Sequence, residues 1–208
     1  MLRIETLVLG MVQTNVYIVI NEETKECLII DPADRADVII HKVTQLQAKP
    51  VAILLTHGHY DHILAAQEVR DHFGMPVMAL DAEEKLLSDP SWNLSGDMFY
   101  RGISLKADRY LHEGDDLDLI GRTIHVLHTP GHTAGGACYY LESEKILFSG
   151  DTLFQMSVGR TDFPTGNMKT LIDSVMTKLM ILPDDTVVYP GHGDATTIGF
   201  ERDNNYFL

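Results

Sequence analysis

Leu54-Leu55-Thr56-His57-Gly58-His59-Tyr60-Asp61-His62 is the stretch on which the reading turns. An apolar run stops abruptly, and three histidines and an aspartate follow within six residues. A His-x-His-x-Asp-His pattern would arise by chance in about two of a thousand chains of this composition. The spacing has geometric content. His57 and His59 are two apart at a strand end, so an extended backbone points them to one side. Asp61 and His62 are adjacent and open a helix, so they can aim elsewhere. One turn can thus present two pairs of ligands to two neighbouring ions. The competing reading is a solvated, histidine-rich loop.

A divalent ion needs more ligands than one turn supplies. Three other sites share the arrangement of apolar strand, glycine, then a ligand-type residue: Thr129-Pro130-Gly131-His132-Thr133, Ser149-Gly150-Asp151-Thr152 and Tyr189-Pro190-Gly191-His192-Gly193. In a sandwich of sheets such loops can converge on one edge. The remaining histidines read differently. His41 and His72 fall on predicted helices and His112 in a polar stretch, all as surface positions, while His125 lies mid-strand. His128, four residues before His132, is a candidate to orient a ligand through its ring N–H.

The chain around these motifs has 208 residues, enough for one domain with a sizeable core. Its formal charge of −14 disfavours nucleic acid and anionic membranes, which need Lys/Arg clusters. Cys27 and Cys138 lie in apolar runs and read as reduced core residues. The start of the chain lacks the pattern of a signal peptide, and no apolar run approaches a membrane span. The expectation is a soluble cytoplasmic protein.

Strands are predicted over 2–9, 15–20, 27–30, 51–55 and 77–80, with helices over 34–47 (Asp34 as N-cap) and 63–73, the latter ended by Gly74. Residues 81–116 are acidic and broken by Pro90, Gly96 and Gly102, with Trp92, Phe99 and Tyr100 among them. They read as a short helix and a long excursion over the site. Strands return at 117–120, 123–128, 136–141, 146–148 and 186–189, with an amphipathic helix over 167–182. Two β-rich halves with helices imply two sheets face to face, helices outside: an α/β fold in a single domain over 1–208.

The four motifs, in this order and spanning nearly the whole chain, resemble those of the metallo-β-lactamase superfamily, and within it the glyoxalase II-like (hydroxyacylglutathione hydrolase-like) group. The resemblance implies a four-layer αββα sandwich with a binuclear site. His57, His59 and His132 would hold the first metal, and Asp61, His62 and His192 the second, with Asp151 bridging. Two divalent ions, zinc foremost with iron or manganese suited too, would activate a bridging hydroxide and polarise a carbonyl. Asp61 would also act in catalysis, fixing the direction of attack. The implied substrate is a small-molecule hydroxyacyl thioester such as S-lactoylglutathione. In the β-lactamases proper, Cys takes the position of Asp151, which speaks against antibiotic hydrolysis here.

The chain also departs from that group. Glyoxalase II proper has a helical C-terminal domain for which this chain is too short. A family Lys and Tyr after the bridging Asp correspond to Arg160 and Asp162, and a Tyr two after the last His to Asp194. Arg160 can bind a substrate carboxylate, or it can pair with Asp162 and shape the loop. The run Gly159-Arg160-Thr161-Asp162-Phe163 resembles the persulfide dioxygenases of the same fold, which use one iron. Lactone or ester hydrolysis is a further alternative, and a non-enzymatic module a last one.

Overall fold

The computed structural model describes residues 1–98 and 102–208. Phe99 and Tyr100 of the predicted excursion lie outside the described residues. The first sheet runs in the order β1 (Leu2–Leu9), β2 (Thr14–Asn21), β3 (Glu26–Ile30), β4 (Lys49–Leu54), β5 (Val77–Leu80), β6 (Arg109–Leu111). The second sheet is built from β7 (Asp116–Leu119), β8 (Arg122–His128), β9 (Ala137–Leu141), β10 (Ile146–Gly150), β13 (Val187–Pro190) and β14 (Thr196–Thr197). A small hairpin of β11 (Leu153–Phe154) and β12 (Ser157–Val158) stands apart from both.

Side-chain alternation along the strands creates the layers. On β2, Tyr17 and Val19 point into the core between the sheets, while Val16, Ile18 and Ile20 point outward under helices. The outer face of the first sheet is covered by α1 (Ala36–Gln45) and α3 (Ala66–Phe73). The outer face of the second sheet is covered by α6 (Met168–Ser174) and the π-helical turn Val175–Leu179 that continues it. The architecture is therefore the four-layer αββα sandwich of the metallo-β-lactamase fold. Cys27 and Cys138 are buried and free, as read from their apolar surroundings. No helix among the described residues is long and apolar enough to cross a membrane.

Several boundaries move, each for a local reason. Asp34 is not the N-cap of α1. Arg35 takes that position in a left-handed conformation, and the Asp34 carboxylate instead accepts the Arg35 N–H at 2.6 Å. The helix expected over 63–73 is two pieces, α2 (Tyr60–Ile63) and α3, because the Ala65 N–H turns to the Pro32 carbonyl at 3.0 Å. Gly74 does end α3, at φ +69°. The stretch 81–116 holds α4 (Glu84–Ser88), α5 (Ser95–Met98) and the short strand β6, which extends the first sheet parallel to β5. The chain closes with α7 (Ile198–Asn204), capped by the Thr197 side chain, which accepts the Phe200 N–H.

The two sheets are joined by hydrogen bonds at one edge, where their loops meet. The Tyr139 hydroxyl donates to the Leu55 carbonyl at 2.6 Å, and the Ala137 N–H to the Thr56 carbonyl at 2.8 Å. The Tyr17 hydroxyl donates to the Pro190 carbonyl at 2.6 Å. These bonds fix the ends of β4, β9 and β13 relative to one another. Tyr139→Phe removes a fully buried donor and is expected to lower stability by about 1–3 kcal/mol, read from the urea midpoint. An unchanged midpoint would mean that this tie does not hold the sheets.

Candidate metal centre

Every predicted ligand leaves the end of a strand or opens a helix at this edge. β4 runs into His57 and His59, and α2 carries Asp61 and His62. The loop after β8 brings His132, the end of β10 brings Asp151, and the end of β13 brings His192. Two glycines make the approach possible. Gly150 has φ +50°, and a Cβ there would overlap the Thr56 hydroxyl. A Cβ on Gly191 would overlap Asp151 Oδ1 and crowd the His62 ring.

The seven side chains converge. His59 Nδ1 and His132 Nε2 are 3.0 Å apart. His62 Nε2 lies 3.5 Å from Asp61 Oδ2 and 3.4 Å from Asp151 Oδ1. His192 Nε2 lies 3.3 Å from Asp61 Oδ2 and 3.6 Å from Asp151 Oδ2, and the same Asp151 oxygen is 3.6 Å from His132 Nε2. Two ligand atoms on one tetrahedral ion at ~2.0–2.1 Å would sit roughly 3.3 Å apart, so these spacings fit shared coordination. His57, His59 and His132 form one group of ligand atoms, and Asp61, His62 and His192 another. Asp151 reaches both, Oδ1 facing His62 and Oδ2 facing His132 and His192.

Hydrogen bonding supports the same interpretation. The buried atoms His57 Nε2, His62 Nε2 and Asp151 Oδ1 have no hydrogen-bond partner. Their rings are nonetheless held from behind. His62 Nδ1 meets Asp31 Oδ2 at 2.9 Å, His132 Nδ1 meets the Arg160 carbonyl at 2.7 Å, and His192 Nδ1 meets the Val12 carbonyl at 3.2 Å. With a metal bound, each ring N–H bonded outward leaves the opposite nitrogen as a lone pair aimed inward. Without one, burial alone would lower His62, but Asp61, Asp151 and Asp31 outweigh it and hold the ring well above its ordinary range. Burial and neighbouring imidazoles hold His57 well below its ordinary range and push His59 down to about 3, so both rings are neutral donors. Burial alone would raise Asp151, but His62, His132 and His57 outweigh it and keep the carboxyl ionised. Asp61 behaves alike, held down to about 2 by His62 and His192 against burial.

Two buried acids complete the surroundings, and neither stands out in the sequence as a site residue. Asp31 accepts the Thr56 N–H at 2.7 Å, the Thr56 hydroxyl at 2.6 Å and the His62 ring. It lies close enough to His57 and His62 to belong to a third ligand group, but its oxygens are already taken, so it orients rather than ligates. The run Leu28-Ile29-Ile30-Asp31-Pro32 carries the same signal as the recognised motifs, an apolar strand ending in an acid. Glu83, 1% exposed, accepts the Gly58 N–H at 2.9 Å and the Gly135 N–H at 2.8 Å. One carboxylate thereby clamps the His57–His59 turn to the loop that carries His132. It sits in an acidic run with no distinguishing pattern.

The structure bears on two sequence readings. His128 does not orient a ligand. Its Nε2 meets the Ala134 carbonyl at 2.8 Å and so braces the His132 loop. The Arg160 side chain lines the cavity above the site, but it is paired bidentately with Asp162 at 2.7 and 2.6 Å. The loop-shaping alternative is therefore the geometry observed. Its guanidinium also lies 3.9 Å from the centre of the Phe163 ring, which in turn stands edge-on to His59. The cavity holds about 500 Å³, floored by the histidines and acids and walled by Val12, Leu94, Phe154, Val158 and Phe163.

Glu83→Ala should weaken metal affinity by roughly 10–100-fold, the range for groups that support ligands, while Glu83→Gln, which keeps one acceptor, recovers part of it. Competition with a chromogenic chelator reads this directly. Wild-type affinity in Glu83→Ala would show that the clamp is dispensable.

The sequence profile described as the metallo-beta-lactamase superfamily matches residues 9–192. The hydroxyacylglutathione hydrolase GloC of Haemophilus influenzae is 37% identical over 209 residues, covering 100% of this chain and 98% of that protein. Among solved structures, BLEG-1 B3 metallo-beta-lactamase superposes with a TM-score of 0.94 at 43% identity, covering 99% of each chain. TTHA1623, solved in a di-iron-bound form, gives 0.85 at 34% identity, covering 98% of this chain and 100% of that one. Profile, relatives and fold agree, and the chain belongs to the metallo-beta-lactamase superfamily.

Proposed function

We propose that the protein is a binuclear metal-dependent thioesterase acting on hydroxyacyl thioesters of the S-lactoylglutathione kind. The convergence of seven ligand-type side chains with unpartnered buried atoms supports this reading most. His57, His59 and His132 would hold one divalent ion, Asp61, His62 and His192 the other, and Asp151 would serve both. Zinc suits this donor set best, and iron or manganese would also fit. When bound, the ions supply an activated water and a Lewis acid for the carbonyl. Similarity to GloC, over nearly the whole of both chains, favours the thioester class.

The chain's own residues would orient and shield the reaction. The Thr14 hydroxyl donates to Asp61 Oδ2 at 3.1 Å, which fixes the carboxylate beside the reacting centre. Phe154, Val158 and Phe163 wall the cavity with apolar surface and limit competing water. Arg160 supplies the cavity's only guanidinium among the described residues, with its charge offset by Asp162. A carrier with few negative charges, such as glutathione, fits this wall better than a polyphosphate carrier does.

Two other activities carry a specific observation. Similarity to BLEG-1 favours β-lactam hydrolysis, and the Gly159–Phe163 run favours an iron-dependent persulfide dioxygenase. One set of measurements separates them: metal content per chain, then S-lactoylglutathione, a carbapenem, and glutathione persulfide with an oxygen electrode. The thioesterase reading expects about two ions per chain and turnover of the thioester above the others. No thioester turnover in zinc, iron or manganese forms would overturn it. Asp151→Ala should lose both ions and the activity, and full metal content in that variant would refute the shared role of Asp151.

A further inference from the structure

A second recess of about 210 Å³ adjoins the main cavity and shares Val12, Tyr60 and Asp61 with it. It lies between the β1–β2 turn and the start of α2, and its walls include Met11, Val12, Ala33 and Leu64. The wall is fixed to the metal centre. The Val12 carbonyl is the partner of His192 Nδ1, and the Asn15 N–H donates to the Gly191 carbonyl at 2.7 Å. A group seated in the recess is therefore held in a set relation to Asp61 and His192. The charged side chains lining it are Asp34 and Asp61, with no cation among the described lining residues. Asp61 is a metal ligand whose charge the ion offsets, so Asp34 is left to disfavour an anion there, and the apolar lining suits an uncharged group. An engineered apolar cavity of about 150 Å³ takes benzene, so this recess can accept a group of phenyl or six-carbon size.

We propose that this recess is the acyl-binding subsite of the enzyme, taking an uncharged apolar acyl group up to about phenyl size. The proposal rests on the thioesterase reading and adds the identity of the acyl class. The larger cavity, with Arg160 and Ser157, is left for the polar thiol carrier, whose carboxylates the recess would reject. In the reaction the oxygen of water bonds to the acyl carbon and the C–S bond breaks. The sulfur leaves as the thiol with a proton from that water, and the free acid is the other product. Burial of each added methylene in the recess is then available to bind the reacting acyl group.

The test is a series of glutathione thioesters (lactoyl as the reference for the proposed activity, then acetyl, butyryl, hexanoyl, phenylacetyl and succinyl) with the metal-loaded protein. From acetyl to hexanoyl, kcat/KM is expected to rise by about tenfold or more, and succinyl should fall below butyryl. Leu64→Ser and, on the exposed turn, Val12→Ser should each bring the hexanoyl-to-acetyl ratio toward one. In parallel, ¹³C-methyl NMR of Met11, Val12, Ala33 and Leu64 is followed while benzyl alcohol is added, with no turnover required. Saturable shifts at these methyls together with the chain-length rise would support the subsite. A flat series, or shifts absent at the methyls of all four residues, would overturn it. If no thioester is hydrolysed but the methyls respond, the thioesterase reading and the acyl assignment fall while an apolar binding site stands.

Discussion

The structure depends on one constraint: a cluster of imidazoles and carboxylates is buried at a sheet edge with too few hydrogen-bond partners of its own. His57 Nε2, His59 Nε2, His62 Nε2 and Asp151 Oδ1 are all buried and unpartnered. Leaving such a group unsatisfied costs about 1–3 kcal/mol. Four of them would consume much of the ~5–15 kcal/mol by which a domain is stable. A divalent ion removes that cost for His57, His62 and Asp151 by replacing missing hydrogen bonds with coordination, while His59 faces the site through Nδ1. Folding and metal binding are thus linked, because the ion meets its ligands together only in the folded state.

That constraint explains why the edge is stiff. Ligands come from four separate stretches of the chain, and a displaced loop would move one of them away from the rest. The protein answers with bonds that cross between elements. Asp31 ties the end of β3 to Thr56 and His62, Glu83 ties the Gly58 turn to the His132 loop, and Tyr139 ties β9 to Leu55. Asp31 holds φ +49°, a conformation unfavourable for a residue with a side chain, and three donors to its carboxylate hold it there. Glu83 pays a desolvation penalty with no cation beside it among the described residues; burial raises its pKa, and the N–H donors from Gly58 and Gly135 work against that shift.

What the sequence made legible follows from how each feature is encoded. The core strands read clearly because β2, β4 and β9 are continuous apolar runs, and the ligands read clearly because each follows such a run and a turn. β6, β11, β12 and β14 are two or three residues long and carry no periodic signal. The break between α2 and α3 is set by a tertiary bond from Ala65 to Pro32, which local propensity does not contain. Asp31 was within reach, since it obeys the same strand-end rule as the recognised ligands. Glu83 was not, because one acid among Asp81, Glu83 and Glu84 acquires its role only from the loops folded over it. Arg160 shows the converse: an ion pair with Asp162 was an open alternative in the sequence, and only the folded loop shows that pair formed.

Charge distribution connects the metal centre to selectivity. The chain carries −14 overall, yet the floor of its cavity is a place where cations bind, so the local field there opposes the field of the whole. An anionic substrate approaching from solution meets repulsion until it is close to the ions. At the mouth the guanidinium of Arg160 is held by Asp162, and at the recess Asp34 adds negative charge. The surroundings therefore penalise each extra negative charge on a substrate, while the apolar walls reward uncharged surface. A substrate that puts one carbonyl at the metals, a neutral acyl group on one side and a weakly charged carrier on the other minimises both penalties at once. On the proposed reading, this division ties the identity of the acyl group to the β1–β2 turn rather than to the metal ligands.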